Sequence, residues 1–282
     1  MNSSPLPGCT RLAAALLTGL LCACASAPVA DRQDAALAIS QVLAGAQRSE
    51  EHRARDRYRH PKETLLFFGL RPEMTVVELW PGADGWYTEI LAPLLREHGR
   101  FYAAQWPPSP DSSYITTGLA RFRDKLASDP GSYDRVIITT LGDSVNEIAP
   151  AGSADMVLTF RNLHSWMGRG ELDAVVAAAF RALKPGGIFG VVEHRGNDGQ
   201  PQDPKARSGY VNETFAVERI EAGGFRLVAK SAINANGADT KDYEAGVWAL
   251  PPTLRMGQAD RERMLKIGES DRFTLRFVKP EK

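Results

Sequence analysis

The chain has 282 residues, 43% of them hydrophobic and 24% charged, a globular balance that excludes a collagen-like or wholly disordered protein. Its 34 Lys and Arg residues match its 34 Asp and Glu residues. No net field therefore favours nucleic acid or an anionic membrane surface, and neither is expected as a partner.

At the start, Arg11 precedes an apolar run over 12–25. The run is short for a membrane span, which needs about 20 residues, and matches the core of an export signal. Leu21-Cys22-Ala23-Cys24 resembles a bacterial lipobox, with Cys24 as the lipidated residue, whereas Ala23-Cys24-Ala25 also fits plain cleavage after residue 25. The expectation is a signal peptide over 1–25 and an exported protein, either anchored at the outer membrane through Cys24 or soluble in the periplasm. All three cysteines, Cys9, Cys22 and Cys24, fall in this segment, so a hydrophobic core rather than disulfides must stabilise the body. Residues 26–60 read as a tether or peripheral helix. Their basic run HRARDRYRH (52–60) is interrupted by Asp56 and preceded by Glu50 and Glu51, favouring a solvated helix face over a phosphate patch.

The main domain is expected over 61–282. Pro61 opens a short helix carrying Leu65, Leu66, Phe67 and Phe68. TVVELW (75–80) reads as a strand, 86–97 as a helix kinked by Pro93, and RFYAAQW (100–106) as a second strand. A helix over 115–127 precedes strands over 135–140 and 154–160. An apolar helix over 171–183 is stopped by KPGG (184–187), and IFGVVE (188–193) is a strand. A helix over 210–222, a strand over 225–230, a polar insertion at 232–270 and a strand over 273–278 complete the chain. Strands alternating with helices imply a mainly parallel sheet covered on both faces, with a closing hairpin.

Four stretches carry a resemblance over about 73–279: ELWPGADGWYTEIL after the first strand, LGD (141–143) after the third, ADMVLTFRNLHSW (154–166), and LKPGGIFGVVEH (183–194). In this order and spacing they resemble class I S-adenosylmethionine-dependent methyltransferases. The resemblance implies a Rossmann-like α/β fold: a seven-stranded, mostly parallel sheet, an antiparallel last strand and helices on both faces. It also implies S-adenosylmethionine as cofactor, with Glu78 ending the first strand, Gly82 and Gly85 in the cofactor turn, Gln105 at the ribose position and Asp143 near the adenine. The sequence departs from the family at Trp80, where a leading glycine is usual, and at Gln105, where an acid is usual.

Ligands of open α/β sheets bind beyond the carboxyl ends of the strands. That places Arg161, Asn162, His164 and Trp166 after the fourth strand beside Glu193, His194 and Arg195 after the fifth. His164 and His194 are the candidate acid–base groups, His164 the better base. A zinc pair is the weaker option because no third ligand falls at helical spacing, so no metal is expected. Arg161, Asn162, Tyr210, Glu213 and Asn236 are candidate substrate contacts. The insertion, with INANGADTKDY (233–243), is either a lid or a scaffold of Asx turns. Three functions fit: an envelope methyltransferase acting on a small or envelope-derived substrate, a ligand-binding module that has lost the cofactor, and a hydrolase. The last lacks both a G-x-S-x-G elbow and a cysteine nucleophile in the body. Nothing in the sequence sets the oligomeric state.

Overall fold

In a computed structural model the described residues are Met1, 29–142, 147–258 and 260–281. The lipobox around Cys24 and the adenine-side candidate Asp143 lie outside them. Seven strands form one sheet: β1 (Thr75–Leu79), β2 (Arg100–Gln105), β3 (Ile137–Thr140), β4 (Ala154–Phe160), β5 (Leu183–His194), β6 (Arg226–Ser231) and β7 (Arg272–Val278). The order is β3-β2-β1-β4-β5-β7-β6, parallel from β3 through β5, with β7 antiparallel to both β5 and β6. The central strands are apolar on both faces because helices cover both. Val76, Val77, Leu79, Val157, Leu158, Val191 and Val192 are buried, while Ile188, expected with them, is only partly so.

The helices are α1 (Val29–Ala44), α2 (Glu50–Arg53), α3 (Asp56–Arg59), α4 (Pro61–Phe68), α5 (Thr88–Leu95), α6 (Ser113–Ser128), α7 (Pro130–Tyr133), α8 (Leu163–Arg169), α9 (Leu172–Ala182), α10 (Glu213–Ala222) and α11 (Arg261–Ile267). One face of the sheet packs against α1, α4, α5 and Phe122 of α6; the other packs against α8, α9 and α10. Gly190 lets α4 approach closely, since a Cβ there would lie 2.9 Å from the Phe68 ring and 2.6 Å from Leu158. Pro93 sits inside α5 and offers no N–H to the Glu89 carbonyl. The Gln47 side-chain amide donates to that carbonyl instead, at 3.1 Å.

Several expectations are corrected. Of the two readings of residues 26–60, a tether or a peripheral helix, α1 forms the helix, with Ala35 and Ile39 buried and Ile39 in the α4–α5 core. The basic run is not a solvated face, because Arg59 is only 3% exposed and its guanidinium donates to Glu269. KPGG does not stop α9 as a turn but lies within β5, where the β4–β5 register jumps between Ala154 and Met156 to absorb it. Tyr210 precedes α10 rather than opening it, and residue 211 bridges to Arg195.

Candidate functional site

The carboxyl ends of β1, β4 and β5 and the amino end of antiparallel β7 meet at one edge of the sheet, which therefore collects residues distant in sequence. At β1 the chain leaves through Trp80, whose φ of 47° is in the left-handed region that costs a large L-residue roughly 1–2 kcal/mol. Neighbours offset the strain. The Trp80 N–H donates to the Ala104 carbonyl at 2.8 Å and the indole N–H to the Leu141 carbonyl at 2.9 Å. The ring meets Trp166 and Trp106 edge-on, with the Arg169 guanidinium 5.2 Å from its centroid. Trp80 thus belongs to the core next to α8. Gly82, at φ 76°, faces open space, with nothing within 4 Å of an added Cβ. Gly85 is more confined, its added Cβ falling 2.9 Å from Phe122.

Two cofactor candidates are turned to other tasks. Gln105 donates from its amide nitrogen to the Gly82 carbonyl at 2.8 Å and accepts from the Trp106 N–H at 3.3 Å, so it braces the turn while its oxygen keeps a second lone pair. Glu78 is buried and accepts from the Thr88 hydroxyl at 2.8 Å. Burial pushes its carboxyl up to about 8, against the opposing pull of Thr88 and Arg161, so it is largely protonated at neutral pH.

At the ends of β4 and β5 the two histidines do meet, with ring centroids 5.5 Å apart. Glu193, fully buried, accepts from the His164 and His194 backbone N–H groups at 3.3 and 2.7 Å and contacts His164 Nδ1 at 3.1 Å. A carboxylate only accepts, so the Nδ1 that faces it carries a hydrogen, and in the neutral ring Nε2 keeps the lone pair. His194 is held through Nδ1 by Ser270 at 2.6 Å; burial, then His164 and Arg161, drive its pKa well below the ordinary value, leaving a neutral ring. Trp248 of the insertion stands edge-on to His164, 6.0 Å between centroids.

Glu193 also supplies the third donor that spacing along a helix did not reveal: ligand atoms of His164, Glu193 and His194 lie within 4.8 Å of one another. The spacing would suit a metal ion; Glu193 favours a cation there, while Arg161, Arg272 and Arg59, which act on His194, oppose one.

Of the five substrate candidates, four are engaged by the chain's own groups. Asn162 donates to the Leu79 carbonyl at 2.9 Å and so ties β4 to β1. Asn236 donates to the Ile267 and Glu269 carbonyls, the work of an Asx scaffold rather than a lid. Tyr210 is buried and donates to Asp239 at 2.9 Å. Glu213 pairs with Arg195 and, at 2.9 Å, with Lys230. Arg161 differs: it has φ 64°, its N–H donates to the Val192 carbonyl at 2.7 Å, and its guanidinium has no hydrogen-bonded or directly ion-paired partner among the described residues, acting on Glu269 only through space.

Sequence reasoning missed Arg59, Tyr87, Thr88, Trp248, Glu269, Ser270 and Arg272. Glu269 receives Arg55 at 2.6 Å, Arg59 at 3.2 Å and Arg272 at 3.0 Å. Burial would raise its carboxyl, but Arg59, Arg272 and Arg55 hold it well below the usual range. The one available signal was GESDR (268–272), four polar residues where an edge hairpin is usually plain.

No protein-family model matches the sequence, and no curated protein matches it significantly. Solved structures do. A SAM-dependent methyltransferase from Aquifex aeolicus superposes with TM-score 0.54 at 15% identity, over 86% of this chain and 98% of that one. The 4+2 cyclase SpnF gives TM-score 0.54 at 16% identity, over 89% and 97%. The S-adenosylmethionine-dependent methyltransferase SibL in its apo form gives 0.50 at 16%, over 86% and 62%. The chain therefore has the Rossmann-like fold of class I SAM-dependent methyltransferases. A cyclase among these neighbours illustrates that the fold does not dictate the reaction.

Proposed function

We propose that the chain is a SAM-dependent methyltransferase of the cell envelope, acting on a small or envelope-derived substrate and tethered by a lipid on Cys24. The observation that carries this reading is the His164–Glu193 pair at the ends of β4 and β5, beside a glycine turn whose Gly82 faces open space. Gly82 fits a cofactor because the backbone there can approach a ligand without a Cβ in the way. Gly82 and Gly85 would hold S-adenosylmethionine, which supplies an activated methyl group when bound. The chain's own contribution is alignment, plus removal of a proton where the acceptor arrives protonated. His164 Nε2 takes that proton, and Glu193 stabilises the ring through Nδ1.

A second reading, a ligand-binding module that no longer uses the cofactor, draws support from Trp80 and Gln105. The Trp80 ring fills space at the end of β1, and the Gln105 amide braces the turn without the charge of an acid. Calorimetric titration of the chain lacking residues 1–25 with S-adenosylmethionine and S-adenosylhomocysteine separates the two. Binding that weakens at least about tenfold in Gly82→Val, with an unchanged near-ultraviolet spectrum, supports the enzyme. Failure of wild type to bind either compound supports the module. For the anchor, Cys24→Ala should move the protein from the membrane to the soluble fraction. Unchanged fractionation would refute the lipid.

A further inference from the structure

We infer that Arg161, backed by Arg59 and Arg272, forms an anion-binding subsite that receives a carboxylate or phosphoryl group of the acceptor molecule. This rests on the acceptor lying at the ends of β4 and β5, and not on use of the cofactor.

The placement comes from topology. Phe160 pairs with Val192, so Arg161 emerges level with Glu193 and His194, and His194 pairs across the β5–β7 ladder with Arg272. Arg272 and Arg59 converge on Glu269 from opposite ends of the chain. Tyr87 joins the group from the side, its ring stacked on Phe160 at a centroid distance of 3.4 Å.

The inventory of partners does not balance. Glu269 already receives Arg55, Arg59 and Arg272 in direct ion pairs, and reaches Arg161 only through space, so one carboxylate serves four guanidinium groups. Arg59, almost wholly buried, leaves its Nη1 without a hydrogen-bond partner. The Tyr87 hydroxyl has none among the described residues either. Glu78, the other carboxyl within reach of Arg161, is largely protonated at neutral pH and cannot supply the missing charge. The strain is visible in the arginines themselves. Burial, then Arg272, lowers Arg161 to about 10, and burial, then Arg161, lowers Arg59 well below its ordinary value. Buried ion networks that serve only stability pair their charges, because an unpaired buried cation costs several kcal/mol. An excess of guanidinium at the ligand-facing edge is instead the arrangement that a bound anion completes. Guanidinium forks suit carboxylate and phosphoryl oxygens equally, and a phenol can donate a further bond.

The test titrates the purified full-length chain with sodium phosphate and with sodium propionate against sodium chloride at constant ionic strength, reading the melting temperature and the calorimetric isotherm. Wild type should show a saturable rise with at least one of the two, and the stronger response identifies phosphoryl or carboxylate recognition. Arg161→Gln should weaken that response at least about tenfold, yet melt no lower than wild type in chloride alone, since a half-buried cation crowded by Arg272 and Arg55 has been removed. Arg100→Gln, exposed at the start of β2, should respond like wild type. Absence of a saturable response in wild type, or an undiminished one in Arg161→Gln, overturns the subsite. S-adenosylhomocysteine is the separate arm. If it competes with the anion and loses affinity equally in Arg161→Gln, the cluster serves the cofactor's own carboxylate and the assignment to the acceptor is wrong. If it binds independently, or not at all while the anion does, the subsite stands whatever becomes of the methyltransferase reading.

Discussion

Trp80 governs how the β1 turn can act. A glycine at this position would relieve the left-handed backbone but empty a buried indole, so Trp80→Gly should destabilise by about 3 kcal/mol. The same variant should bind S-adenosylhomocysteine more tightly than wild type; equal affinity would mean that the ring is not in the ligand's path. Gln105→Glu, which the family pattern would suggest as an improvement, should do harm. It replaces a donor to the Gly82 carbonyl with a charge facing that carbonyl, a loss of about 1–3 kcal/mol by denaturant unfolding. Glu78 makes a pH prediction. Its folded pKa of about 8 lies above the unfolded value, so the folded state holds the proton that the unfolded state releases. Its contribution is complete below about pH 4.3 and is lost as pH rises through about 8, by at most about 1.4 kcal/mol per unit. Glu78→Gln should flatten the stability profile across that window, and parallel profiles would refute the burial of an ionisable group there.

Among the elements, β4 is the hub, paired with both β1 and β5, and Leu158→Ala should cost about 2–5 kcal/mol in chemical denaturation. A loss under about 1 kcal/mol would contradict its central place. Gln47→Ala tests the helix proline: it strips the Glu89 carbonyl of the donor that replaces Pro93 and should cost about 1–2 kcal/mol. These elements differ in how legible they were. The strands were plain because burial on both faces demands unbroken apolar runs such as TVVEL and ADMVLTF. LKPGG misled because Pro and Gly usually end regular structure, whereas a register jump carries β5 through them. Helix α8 escaped notice because LHSWMGR is too short to display a period. That His164 and His194 would meet was legible because they follow adjacent parallel strands. Asn236 and Tyr210 were misjudged because a polar loop looks the same whether its side chains face a ligand or each other. The inward basic run was invisible because its carboxylate partner, Glu269, is remote in sequence.

At the scale of the whole molecule, the two faces of the sheet divide the work. The face under α8, α9 and α10 carries the Trp80–Trp166 contact and a continuous apolar core. The α4–α5 side carries Glu78, Tyr87 and the arginines as well as apolar packing. The insertion joins the domain rather than projecting from it: Asn234 donates to Thr64 and Thr274, and Trp248 reaches His164. Its own small core, around Ala249, Leu250 and Met264, keeps that tryptophan in position.

The ion-paired centre on Glu269 has a consequence for the order in which the protein matures. Arg55 and Arg59 lie 214 and 210 residues ahead of the carboxylate that receives them. A ribosome therefore delivers the cations long before their counter-charge, and domains that begin to fold during synthesis do so from the N-terminal side. The ion-paired centre is assembled last, as the strand that closes the sheet comes into place.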